Sequence, residues 1–461
     1  MGRRILIAGG TVTDETCSET TDILVEDNRI VERSPGLSAS PGTEIIDCSG
    51  KYLIPGLVDV HVHFDLESNG FRTADDFVSG TRSAAAGGVT TVVDFIDQDP
   101  GRPIRAIVEK AVKDRESVAA VDWSYHLVIT AWSNEVRSEF RDLRSAGLSG
   151  SVKVFTAYRS RGLMSDDDQL YGILEASGSD EFITMVHAEN DALISLFESR
   201  ELKQEAGISG LARSRPPIAE EEAVSRVLLF AEYARGRIHI AHMSTPGSVS
   251  RLTDARSRGV WASGEVTPHH LFLSEDYLNR PDGALYTCCP PLRSDDIRGM
   301  LWNELRNGHI HIVSTDSCGF SPYAKQSAVD VRNIPMGLPG VETLFPLMYT
   351  RGVESEGMSL SRLTQILSAN PARLLGVFPK KGVLRIGSDA DILVFDPHER
   401  QRLTAKYLES KVGWSPYEGF LLAKPPESVY LKGQLIAQNG SFTGNRCHGC
   451  VLDRGDPVLP N

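Results

Sequence analysis

The chain has 461 residues, 41% hydrophobic and 24% charged, with a formal net charge of −13. That length exceeds one ordinary domain and suits either a few units of about 150 residues or one large α/β barrel with an added module. The acidic balance without clustered Lys/Arg argues against nucleic acid or a membrane surface as partner, no run reaches the roughly 20 apolar residues of a membrane span, and Met1–Gly10 lacks the apolar stretch of a signal peptide, so the expected location is cytoplasmic.

The N-terminal stretch reads as short strands at Arg4–Ala8, Asp22–Glu26 and Arg29–Arg33, cut by turns such as Glu26-Asp27-Asn28. From Gly56 onward apolar strands alternate with helical stretches, the signature of βαβ units and a parallel sheet. The strand candidates are Leu57–His63, Val89–Phe95, Val121–Ile129, Ser151–Phe155, Phe182–His187, Ile238–His242, Val260–Val266 and Ile310–Asp316. Amphipathic stretches between them include Thr73–Ala86, Arg102–Ala119, Ile218–Arg235 and Ile297–Asn307. Eight alternations are what a (β/α)8 barrel needs. A doubly wound sheet would share the pattern, but the placement of the site residues favours the barrel. Strand character returns at Ala390–Phe395 and Val429–Ile436, and the two chain ends are expected to form one small β-module beside the barrel. The tail from Gly444 to Asn461 is Gly/Pro-rich and expected to be extended. Seven cysteines, an odd number spread along the chain, indicate free thiols; Cys447-His448-Gly449-Cys450 has half the ligands of a zinc knuckle and no second pair nearby.

Chemistry collects at the C-terminal ends of the predicted strands. In Asp59-Val60-His61-Val62-His63, residues two apart share a face, so His61 and His63 project together into the barrel mouth, suited to one metal ion. Lys153 lies inside the apolar strand Ser151–Phe155, where a charge is costly unless paired or modified. A neutral buried amine can take up CO2 to become a carbamate able to bridge two ions; pairing with a nearby acid is the other reading, and the residues alone leave both open. His187 and His242 close the fifth and sixth strands, with His239 facing away as a structural residue. Asp316 ends the eighth, where a carboxylate can bind metal and move a proton.

This pattern resembles the metal-dependent amidohydrolase superfamily. Within it the chain is similar to the dihydropyrimidinase, hydantoinase and allantoinase group over nearly its full length. Lys51-Tyr52-Leu53-Ile54-Pro55-Gly56-Leu57-Val58-Asp59 matches the approach to the barrel, and Lys381-Gly382-Val383 through Asp389-Ala390-Asp391 matches the return to a β-sandwich. Lys153-Val154-Phe155-Thr156-Ala157-Tyr158 matches the segment whose lysine is carboxylated and whose tyrosine polarises the scissile carbonyl. The resemblance implies a distorted TIM-type (β/α)8 barrel at residues 55–378, with the β-sandwich made from residues 1–54 and 379–461. It also implies two Zn2+ per subunit bridged by carboxylated Lys153 and hydroxide. His61, His63, Lys153 and Asp316 would hold one ion, and Lys153, His187 and His242 the other. Asp316 would shuttle the proton, Tyr158 would stabilise the oxyanion, and the chain would assemble as a homotetramer with residues 440–461 aiding subunit contact.

The implied reaction is hydrolysis of a cyclic amide C–N bond in a hydantoin, dihydropyrimidine or related small cyclic ureide or imide, giving an N-carbamoyl amino acid-type product. Asp65 stands where dihydroorotases carry an arginine for the substrate carboxylate, which disfavours dihydroorotate. Cys289 and Met336 depart from the serine and asparagine of relatives that hold the ring largely through backbone groups, and Ser317 stands where many relatives have histidine. Phe64, Leu66, Ile96, Phe155 and Tyr158 could line an apolar pocket, favouring an aryl or alkyl substituent over polar allantoin. Allantoinase-type ring opening is the alternative chemistry. A non-catalytic relative would have lost metal ligands, whereas all six positions are filled here. An exocyclic deaminase would lack Lys153. The His269-His270 pair is expected to stand behind the metal site.

Overall fold

The computed structural model describes residues 3–202, 207–328, 330–444 and 448–461. Eight parallel strands lie side by side in chain order: Leu57–Asp59, Val89–Asp97, Asp122–Val128, Ser151–Phe155, Ile183–His187, Ile238–Ile240, Ala262–Val266 and Ile312–Val313. The first and last meet above their ladders, through a parallel bridge between Val62 and Ser317 and a hydrogen bond from the His63 amide to the Ser317 carbonyl (2.9 Å). Asp59 ties the same seam: its carboxylate accepts from the Thr315 amide (3.0 Å), the Thr315 hydroxyl (2.5 Å) and the His61 amide (3.2 Å). The expected barrel is therefore present, with every strand where the apolar pattern placed it.

Three ladders are shorter than expected, and for one reason. The chain leaves the sheet before the functional residues: the first strand stops at Asp59, the sixth at Ile240 and the eighth at Val313. His242 (φ 33°) and Asp316 (φ 48°) occupy the left-handed region, as does Tyr158 (φ 68°) just beyond the fourth strand. Such conformations persist in non-glycine residues only where the surroundings impose them.

Helices fill the crossovers. Asp76 caps Phe77–Ala86 by accepting from the Ser79 amide (2.7 Å), which starts that helix later than the apolar pattern alone indicated. Ile104–Glu116, Pro217–Ala234, which begins on a proline, and Asp295–Arg306 correspond to the other three stretches. Inside the barrel Val58, Val60, Val93, Ile183 and Ile312 are buried together with Leu374, Leu375 and Leu452, so a late helix and the tail close the floor.

The chain ends meet in one nine-stranded sheet. Its order runs Ser441–Phe442, Gln434–Gln438, Ser428–Leu431, Ile392–Phe395, Tyr52–Pro55, Arg4–Thr13, Ser18–Glu26 and Arg29–Ser34, with Glu44–Asp47 also on Arg4–Thr13. Alternation divides its faces: Leu53, Ile392 and Val394 join the sheet's own core, whereas Ile54, Leu393 and Phe395 join the core shared with the barrel. The single strand expected at Val429–Ile436 is instead a hairpin, because Lys432 (φ 50°) and Gly433 (φ 72°) make a tight turn of the kind that needs two positive φ values. Among the described residues no helix is long and apolar enough to cross a membrane. Six cysteines, including Cys450, are free, and Cys447 lies outside the described residues.

Candidate functional site

A cavity of about 510 Å³ opens at the C-terminal ends of the barrel strands. His61, His63, Lys153, His187, His242, Asp316, Tyr158, Cys289, Met336, Phe64, Leu66, Ile96 and Phe155 all line it, so every site residue singled out in the sequence arrives in one place.

The histidines form two adjoining groups. Nε2 of His61 and Nε2 of His63 are 3.2 Å apart, and each lies close to Oδ1 of Asp316, at 3.1 and 3.2 Å. Nδ1 of His187 is 3.0 Å from Nε2 of His242, and the His61 and His242 rings are 5.5 Å apart. Donors sharing a first-row ion at about 2.0–2.1 Å must lie about 2.9–3.4 Å from one another, and both groups meet that condition. Burial lowers the pKa of His61, His187 and His242, favouring the neutral imidazole that binds metal. Burial would raise the Asp316 carboxyl, but the adjoining His61 and His63 rings outweigh it and hold Asp316 well below the usual range. His242 Nδ1 is buried without a hydrogen-bond partner.

Lys153 is 1% exposed. Its ammonium lies 5.5 and 5.3 Å from the centroids of the Phe95 and Phe155 rings. Burial brings it down to about 8, against the pull of Glu265 and Asp316. A substantial fraction is thus neutral near pH 8, the state that reacts with CO2.

Sequence reading missed the groups behind the ligands. Glu265, buried on the seventh strand, faces His61 Nδ1 (2.5 Å) and His239 Nε2 (3.2 Å) and accepts from the His242 amide (3.3 Å). Burial would raise it, yet His61 and His239 keep it well below its ordinary value. With Nδ1 engaged, His61 presents Nε2 to the cavity. Glu189 does the same for His187, whose Nε2 lies 2.8 Å away, while Arg215 pairs with Glu189 at 2.6 Å. Burial opposes the Glu189 charge, but Arg215 and His187 hold the carboxyl at about 2. A charge inside an apolar strand was the signal that exposed Lys153; Glu265 lacks it, because Ser263 and Gly264 beside it interrupt the apolar run.

Tyr158 sits with its ring 5.0 Å from that of His187, and the Arg215 guanidinium covers it at 5.3 Å. Its phenol faces the Cys289 thiol, and burial pushes it well above the ordinary range, so it stays a protonated donor. Met336 and Gly337 form the neighbouring wall. Behind both walls Lys325 is fully buried and donates to the carbonyls of Thr287 (2.8 Å) and Gly337 (2.7 Å). His270 has both ring nitrogens engaged, with Thr267 (2.8 Å) and the Pro290 carbonyl (3.1 Å), and so stands behind the site rather than in it. Ser317 is likewise occupied, its hydroxyl accepting from the amides of Gly340 (3.2 Å) and Val341 (3.4 Å).

Residues 52–436 match the Amidohydrolase family. The D-hydantoinase of Ralstonia pickettii is 35% identical over 455 residues, 98% of each chain. A D-phenylhydantoinase of Escherichia coli is 34% identical over 468 residues, 99% of each. The crystal structure of dihydropyrimidinase from Brevibacillus agri superposes with a TM-score of 0.95 at 31% identity, covering 99% of this chain and 100% of that one.

Proposed function

The chain belongs to the hydantoinase and dihydropyrimidinase family of cyclic amidohydrolases, and on that footing we propose that it hydrolyses the ring C–N amide bond of a hydantoin, dihydropyrimidine or related cyclic ureide or imide to an N-carbamoyl amino acid-type product. The observation that carries this reading is the meeting of His61, His63, Lys153, His187, His242 and Asp316 in one cavity beneath Tyr158.

In this reading two zinc ions would be held per subunit, one by His61, His63, Lys153 and Asp316, the other by Lys153, His187 and His242. The donor spacings above support a metal of this kind. Lys153 would contribute to both ions as a carbamate, made when its neutral amine adds to CO2: one N–C bond forms, one C–O π bond of CO2 breaks and one proton leaves the nitrogen. The ions, when bound, would acidify a shared water and polarise the scissile carbonyl.

The chain's own groups supply the rest. Asp316, held as a carboxylate, takes the proton from the attacking water and delivers it to the leaving ring nitrogen. Tyr158 donates its phenol hydrogen to the carbonyl oxygen as charge develops there. Glu265 and Glu189 fix His61 and His187 so that one ring nitrogen of each faces inward. The loops of Cys289 and of Met336–Gly337 offer backbone groups that orient the ring. Assembly as a homotetramer and a cytoplasmic location complete the proposal, and sedimentation and cell fractionation check them.

The test is ring opening by zinc-loaded protein across dihydrouracil, hydantoin and its 5-substituted forms in both enantiomers, allantoin, dihydroorotate and succinimide. Turnover lost on chelation and regained with zinc is the expected result. A fully metal-loaded protein that opens none of these rings would remove the reading.

A further inference from the structure

The cavity's charges outside the histidine groups do not all cancel. Asp65 pairs with Arg72 (2.9 Å), Glu67 with the same arginine (3.4 Å), and Asp94 with Arg115 (2.9 Å). Asp97 is different. It ends the second barrel strand, Val89–Asp97, in register with Val128. Strand alternation gives it the same face as Phe95, whose ring stacks on His63 at 4.3 Å. It lines the cavity and is an exposed residue there. Among the described residues no cation pairs with it and no side chain donates to it. Burial pushes the Asp97 carboxyl up, and of the groups that oppose this Arg115 is already engaged by Asp94 and by the Phe77 ring, 4.7 Å away.

An unpaired carboxylate in a substrate cavity selects for what neutralises it. Ile107 and Ala111, from helix Ile104–Glu116, line the cavity alongside it and can receive a methylene chain leading to its oxygens. The other free charge, Arg161, lies beside Tyr158, 5.5 Å from its ring, and donates to the Ser68 hydroxyl (3.4 Å). It belongs to the loop after the fourth strand, not to the wall built by the second.

We propose that Asp97 selects cyclic ureides whose ring substituent ends in a cation, such as an aminoalkyl or guanidinoalkyl group. The inference rests on the ring-opening reading above and narrows its substrate class, replacing the expectation of a purely apolar substituent. A charge-assisted hydrogen bond partly shielded from water is worth about tenfold or more in discrimination.

The experiment compares 5-(4-aminobutyl)hydantoin with 5-pentylhydantoin, which replaces the ammonium by a methyl group, and with a 5-carboxyalkyl hydantoin of equal length. Both kcat/KM and calorimetric binding are measured on zinc-loaded wild-type protein, D97N and D97E. The expected result is a preference of at least about tenfold for the aminobutyl over the pentyl ring, collapsed in D97N and retained in D97E. Equal handling of the two, a preference that survives D97N, or a preference for the carboxyalkyl ring would overturn the inference. The binding arm separates the two claims: selective binding without turnover would sink the ring-opening reading and uphold the role of Asp97. Turnover without selectivity would do the reverse.

Discussion

Lys153 concentrates the chemistry of the site into one residue. It is buried between two aromatic rings, and burial brings it down to about 8. Lys153→Ala is expected to lose bound metal and ring opening together, read by elemental analysis and turnover; two retained metals with normal activity would refute a bridging role. Tyr158→Phe removes only a donor. It should lower kcat by about 10²–10³, roughly 2.7–4 kcal/mol, with metal content unchanged. Glu265→Gln acts at one remove, through His61 and His239. Zinc affinity should fall about 10–100-fold in titrations against a competing chelator, and an unchanged affinity would reduce Glu265 to a structural residue. The ligands themselves were legible because histidine pairs and a lysine are conspicuous at strand ends. Glu265 was not, since Ser263 and Gly264 beside it break the apolar run that made Lys153 stand out.

At the scale of elements, period-two and helical patterns located the barrel strands and four of the helices around them, because each has an apolar face that must be buried. Strand ends were harder to place. Leaving the ladder at Asp59, Ile240 and Val313 depends on Asp59 gripping Thr315 and on left-handed backbone at His242 and Asp316, contacts between residues hundreds of positions apart. The two loops that face the substrate illustrate the same limit. Cys289 and Met336 were visible as loop residues, but nothing in the sequence announces that Lys325 ties the loops together by donating to Thr287 and Gly337. Lys325→Met is expected to free both walls. KM should then rise by about tenfold, since the lost hydrogen bonds are worth about 1–3 kcal/mol, while kcat changes less. Steady-state kinetics on a good substrate decides this. A fall confined to kcat would place the effect on the reacting groups instead.

Across the whole molecule, the parts are held together on the side of the barrel away from the cavity. Lys381 is buried, and its ammonium meets Asp122 of the third barrel strand at 2.5 Å, Asp391 at 2.7 Å and Asp389 at 3.0 Å. Burial would lower its pKa, but those carboxylates outweigh it and keep the lysine charged. Three acids that could otherwise gather a cation are thus already served by one. Asp122 also holds Lys432 of the sheet's hairpin turn (2.8 Å) and the Cys450 amide (2.9 Å). From there the tail runs along the barrel floor: Trp123 and Cys450 are joined by a backbone bond of 3.0 Å, Leu452 and Trp123 by one of 2.8 Å, and Arg454 is buried against the carbonyls of Leu375 and Tyr125. Residues 448–461 of the Gly/Pro-rich tail are fastened to their own barrel, through partners too distant in sequence for any local pattern to reveal. Lys381→Met leaves three acids buried without their common cation, and breaking a buried pair costs about 3–5 kcal/mol. The variant is therefore expected to unfold at lower denaturant concentration, and limited proteolysis should cut residues 448–461 sooner than in the parent. Because the cavity lies at the opposite end of the strands, zinc content and KM of the folded fraction should stay near the parent values. A variant that lost metal while keeping its unfolding midpoint would show that this cluster governs the site rather than the joining of barrel, sheet and tail.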